Sequence, residues 1–183
     1  MSDFIRPKPI DNEIPLDNTK IIMSKTDAKG IIEYANAYFM KICGYDEWEL
    51  MAEPHNVIRH PDMPRIVFKL LWGRLHKGEN IHALVKNLAK DGSYYWVITN
   101  FETIYENGKI TGYFSRRKAP PRYAIEYIIP IYKKLLDLEA EGGMKASGDF
   151  LFQFLKDGNY TYDSFILEVL KVSQEKLDAY FEG

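Results

Sequence analysis

The chain has 183 residues, 46% of them apolar and 27% charged, a balance that lets one sizeable core form without disulfides or structural metal. With 24 Lys+Arg against 26 Asp+Glu the formal charge is −2, which excludes a strongly basic nucleic-acid binder. The lone Cys43 excludes an intramolecular disulfide framework and a cysteine metal cluster.

No apolar run approaches the ~18 residues of a membrane span, and the N-terminus has no apolar signal core, so a cytoplasmic protein without membrane insertion is expected. Residues 1–18 carry Pro7, Pro9 and Pro15 among charges and read as an extended lead-in arm. Lys20–Ser24 and Ile31–Tyr34 read as strands joined by the turn Thr26-Asp27-Ala28-Lys29-Gly30. A short helix follows over 36–43, capped by Asn36 and stopped by Gly44, with another possible from Asp46 to Met51. Residues 53–64, dense in Pro, His, Asn and Asp, form a loop. Met63, Ile66, Val67, Leu70, Leu71 and Leu75 then mark a helix, with Asp62 placed to cap it and Gly78 to end it. Three strands (Ile81–Ala89, Ser93–Tyr105 and Lys109–Arg116) are divided by Lys90-Asp91-Gly92 and the hairpin dipeptide Asn107-Gly108. After Pro120-Pro121 the spacing is helical to the end, with a kink or restart expected at Pro130 and a break at Gly142-Gly143. This order implies an α+β domain on an antiparallel sheet.

The densest polar cluster runs from Pro54 to Pro64. Its prolines hold Arg59, His60 and Asp62 in defined directions, which suits either a phosphate or polar cofactor edge, or a rigid helix entry. Ile81, Ala83, Val85 and Asn87 share one strand face, apolar until Asn87. That amide needs a partner, which is either a backbone group or the edge of a heteroaromatic ligand. The four histidines show no zinc spacing, although one neutral histidine suffices for haem. Cys43 reads as a buried structural thiol. Gly142–Gly148 lacks the Gly-Lys-Ser/Thr ending of a phosphate loop, and no catalytic acid/base pair or nucleophile stands out.

Residues 19–118 resemble the PAS sensor of the bacterial aerotaxis receptor family. The resemblance rests on Asp27, Ala35-Asn36, Gly44-Tyr45, Pro54-His55-Asn56, Arg59-His60-Pro61-Asp62-Met63-Pro64, Phe68, Trp72, Val85-Lys86-Asn87, Tyr95-Trp96-Val97 and Gly112-Tyr113. It implies a PAS fold: a five-stranded antiparallel sheet with short helices over one face, here with a C-terminal helical extension over 119–183. It further implies non-covalent FAD, with Asn36, Arg59, His60, Asp62, Phe68, Trp72 and Asn87 as site residues. Many members carry Trp after a Gly-Glu-Pro turn, where this chain has Gly78-Glu79-Asn80-Ile81. The cysteine that blue-light flavin sensors carry before the long helix is absent, which argues against photoadduct chemistry.

The chain resembles the stand-alone PAS sensors of bipartite energy-taxis systems, which act on a separate methyl-accepting chemotaxis-type receptor. The leading expectation is therefore an FAD redox sensor for aerotaxis or energy taxis, without turnover. The alternatives are a haem b gas sensor with an axial histidine among His60, His76 and His82, and a cofactor-free interaction module. The helical extension is expected either to pack on the outer face of the sheet or to expose a stripe such as Phe165, Val169 and Leu170 for a homodimer or a receptor.

Overall fold

In the computed structural model, which describes residues 6–182, Ile22–Asp27 alternates buried and half-buried side chains, as a strand with one covered face must. This strand, β1, is followed by β2 (Ile32–Ala35) and the helices α1 (Ala37–Cys43) and α2 (Glu47–Leu50). Asn36 caps α1 by accepting from the Phe39 N–H, and Gly44 closes it with φ 73°. A 3-10 turn over His55–Ile58 leads into α3 (Arg65–Leu75). β3 (Ile81–Leu88), β4 (Tyr94–Glu106) and β5 (Lys109–Lys118) complete an antiparallel five-stranded sheet of order β2-β1-β5-β4-β3. Asn107 and Gly108, both at positive φ, turn β4 into β5.

The lead-in arm is pinned to the sheet. Ile10 and Ile14 donate backbone hydrogen bonds to Gly92 and Tyr94, and Glu13 bridges Tyr94 in parallel. Gly92 is required at this contact, because a Cβ there would lie 2.3 Å from the Lys8 carbonyl oxygen.

α4 spans Arg122–Asp157 and continues through Pro130; its one non-helical residue is Gly143 (φ 69°, ψ −172°). The break expected at Gly142-Gly143 is therefore found at Gly143, and the kink or restart expected at Pro130 is not. Ile128, Tyr132 and Leu135 are buried on both sides of the proline, and this packing holds the helix in register across the missing hydrogen bond. Tyr132 donates to the Leu84 carbonyl at 2.7 Å and stacks on Trp96, placing the first half of α4 against the sheet face opposite Val85 and Asn87. α5 (Tyr162–Leu170) and α6 (Gln174–Glu182) pack on β3 and β5 respectively. The stripe Phe165, Val169 and Leu170 is buried in this added layer and presents no free surface.

Candidate functional site

Over the other face of the sheet, α3 and the His55–Ile58 turn enclose a cavity of about 450 Å³, within the range of small-molecule sites. Val67, Leu71 and Leu75 turn one side of α3 into the core, leaving Phe68 and Trp72 half-buried at the cavity wall. Trp72 stands edge-on to Tyr113 at 5.3 Å and lies over Gly30, where a Cβ would come within 3.1 Å of the indole. The sheet supplies Val85 and Asn87 from β3, Thr99 and Phe101 from β4, and Ser115 and Arg117 from β5. Arg59 bridges Asn87 through the backbone, which ties the proline-rich loop to the strand carrying the amide.

Arg117 lies at the base of the cavity, 2% exposed and without a carboxylate partner. Its Nη2 donates to Ser115 Oγ at 2.6 Å and Ser24 Oγ at 3.0 Å, and faces His55 Nε2 at 2.8 Å. Nη1 has no partner among the described residues, and neither has the buried Thr99 Oγ1. Burial lowers the guanidinium to about 10, which still leaves it charged at neutral pH. Burial and then the Arg117 charge push His55 down to about 3, so its ring is neutral and Nε2 is free to accept from Nη2. A desolvated cation without a counter-charge is costly unless something anionic joins it.

The wider lining repeats this imbalance. Lys29, Arg59, Arg65, Lys69 and Arg117 line the cavity, and no Asp or Glu among the described residues does. Arg59 donates through Nη2 to the Met63 carbonyl and lies 4.6 Å from the Phe68 ring centroid. No cluster of three or more His, Cys, Asp or Glu suited to a metal ion occurs among the described residues. An apolar slot with cationic and amide edges suits a planar, negatively charged ligand.

A family model described as the PAS fold matches residues 32–115. Over 121 residues, 66% of this chain, the sequence is 41% identical to the aerotaxis receptor of Escherichia coli K12. The chain carries a PAS domain of the aerotaxis receptor family.

A second relative, the nitrogen fixation regulatory protein of Klebsiella pneumoniae, is 23% identical over 67% of this chain. The chain spans about a quarter of the length of these relatives (24% and 25%). Among solved structures, the light-state LOV domain of the blue-light photoreceptor Aureochrome1 superposes with a TM-score of 0.55 at 17% identity, covering 60% of this chain and 88% of that one. A light-oxygen-voltage domain studied with a flavin analogue gives 0.52 at 20% identity, covering 62% and 87%. These likenesses establish the PAS architecture of sheet and helices.

Of the residues singled out in the sequence, the PAS cavity brings together Arg59, Phe68, Trp72 and Asn87. The other three lie outside its lining. Asn36 accepts from the Met23 and Phe39 N–H groups and donates to the Ile21 carbonyl, joining α1 to β1. His60 is buried, its Nδ1 accepting from the Asp62 N–H, and its ring meets Tyr94 edge-on. Asp62 does not cap α3, because the helix begins after Pro64; the Asp62 carboxylate pairs with Lys86 at 2.6 Å. Ile81 is buried at the start of β3, outside the lining.

Sequence reasoning missed Arg117 and the specific role of His55. The available signal was the period-two face Tyr113, Ser115, Arg117 on one strand opposite Ser24 on another. This is a polar stripe where a core face is expected.

Proposed function

We propose that the PAS domain binds FAD and acts as a redox sensor for aerotaxis or energy taxis, reporting to a separate chemotaxis-type receptor without catalysing turnover. The observation that carries the reading is Arg117: a buried cation whose Nη1 has no partner among the described residues, in a cavity that no described Asp or Glu lines. The kinship with the aerotaxis receptor supports the same reading. Residues 19–118 serve as the sensor and 119–183 as the extension that carries its output.

The residues present fit a flavin. Trp72, Phe68 and Val85 offer apolar walls for a fused ring, Asn87 an amide for a heteroaromatic edge, and Arg117 a fixed positive charge. A bound flavin supplies reversible electron uptake. Phe68 and Trp72 exclude water, and Arg117 favours negative charge at the base of the cavity. His55 and the Ser24–Ser115 pair hold the guanidinium in place. A change of charge or protonation beside Arg117 and Asn87 alters hydrogen bonds worth about 1–3 kcal/mol to these groups, enough to bias β3 and β5 between two arrangements. Asn36, His60 and Asp62 contribute by holding α1 and the loop. Haem finds less support, since His60, His76 and His82 are outside the cavity lining and the Nε2 of His55 already faces Arg117.

The test is a fluorescence titration of FAD into the protein, with Arg117→Met and Asn87→Ala alongside. Saturable binding by the wild type, weakened at least about tenfold in either variant, is the expected result. Absence of FAD binding to the folded wild type contradicts the reading.

A further inference from the structure

We propose that the groove between α3 and the second half of α4 is a docking site for an amphipathic helix of a protein partner, apolar on one face and edged with Asp or Glu. The groove lies on the other side of α3 from the cofactor cavity, shares with it Lys69 alone among the described residues, and holds about 850 Å³. Its floor is apolar, formed by Ile66, Leu70, Leu151, Leu155 and Tyr160, and Phe152 at its edge is 69% exposed. These apolar residues are gathered in one groove instead of being scattered singly over the surface.

Charge selects the occupant. Lys69, Lys77 and Lys156 line the groove without an ion-pair partner among the described residues, whereas Arg74 is neutralised by Glu79 and Asp163. No Asp or Glu among the described residues lines it. This occurs in a chain whose overall charge is −2, so the cationic rim is local. A concave trough beside an 11-residue helix, about 16 Å long at 1.5 Å per residue, suits three turns of a second helix. A flat lipid surface would meet the rim and leave the floor empty. Gly73 opens the trough, since a Cβ added there would have nothing within 4 Å. At the far end Gly148 lets α4 approach Ile66, closing the trough.

Position gives the site its use. α3 turns Phe68 and Trp72 to the cofactor cavity, while Ile66, Leu70 and Gly73 face the groove. A partner seated there contacts the same helix that walls the sensor cavity. The docking claim does not depend on which cofactor the cavity holds.

The probe is a fluorescent synthetic helix with a leucine stripe at i, i+3, i+4 and i+7 flanked by glutamates, compared with a twin carrying lysines instead. The wild-type protein should bind the acidic peptide, more weakly at high salt, and reject the twin. Lys77→Glu combined with Lys156→Glu should reverse that preference. Gly73→Phe fills the trough at an open helical position and should weaken the acidic peptide at least tenfold without lowering the melting temperature. Neither set touches the cofactor cavity, so FAD binding is read independently and its failure is distinguishable. The proposal is overturned if neither peptide binds, if both bind equally, or if Gly73→Phe has no effect. It is equally overturned if the trough variants abolish binding of anionic phospholipid vesicles but not of the peptide, or if the wild type is a dimer that Gly73→Phe dissociates.

Discussion

Glu139 of the helical extension caps the N-terminus of α3, its carboxylate accepting from the Ile66 N–H at 2.8 Å and the Arg65 N–H at 2.9 Å. The helix that carries Phe68 and Trp72 is thereby fastened to a residue 73 positions along the chain from Ile66. Ser147, just past the break at Gly143, donates to the same carboxylate at 3.2 Å, and the nearby Met144 lines the cavity between α3 and the sheet. The extension is part of the sensor's wall.

Glu139→Ala should cost about 1–2 kcal/mol, the usual worth of a lost helix cap with a favourable dipole term, and Glu139→Gln should cost less. Thermal denaturation of the protein without cofactor measures it. An unchanged melting temperature for Glu139→Ala would show that the cap does not fasten α3.

This contact explains why the sheet was legible in the sequence and the join to the extension was not. β-turn dipeptides and period-two faces are local, so Asn107-Gly108 and the face ending at Asn87 could be read directly. A cap supplied from across the fold has no local pattern, and Asp62, the nearest acid, was the natural expectation. Pro64 starts the helix beyond Asp62, and Lys86 takes the Asp62 carboxylate instead. The site was half legible for a similar reason. Asn87 and Trp72 stand out by face and spacing, whereas Arg117 gains meaning only when β1 and β5 pair and bury it beside Ser24.

Arg117→Met should leave the cofactor-free protein as stable as the wild type, or more so. The substitution removes a desolvated charge, while Ser24, Ser115 and His55 remain hydrogen-bonded to one another at 3.0 Å. Urea unfolding measures stability. A loss of more than about 3 kcal/mol, the scale of breaking a compensated buried ion pair, would mean that the cation is structurally paid for without a ligand.

Acid should destabilise the fold well before its carboxylates titrate. His55 is held at about 3, by burial and then Arg117, and His60 at about 4, by burial and then Lys86, with Asp62 opposing. Their ordinary value is near 6.5. Between these limits the unfolded chain binds more protons than the native one, so stability falls as pH drops below about 6.5. Each histidine contributes up to about 1.4 kcal/mol per pH unit. Urea midpoints from pH 7.5 to 5 check the sign, about two pH units being enough to see it; midpoints that rise toward acid would refute it.

Cys43 should be inert in the native protein. Burial raises its thiol to about 11, and its Sγ faces the Met40 carbonyl at 3.7 Å. Reaction with a disulfide reagent at pH 8 should be slow until denaturant is added. Prompt native-state labelling would show that α1 opens locally.

The central claim is tested most directly by the visible absorption spectrum of the protein after mixing with FAD and gel filtration, followed by dithionite under argon. The account predicts a two-band flavin spectrum that co-elutes with the wild-type protein, bleaches on reduction and returns in air, and that is lost from Arg117→Met. A folded wild-type protein that emerges colourless would contradict it.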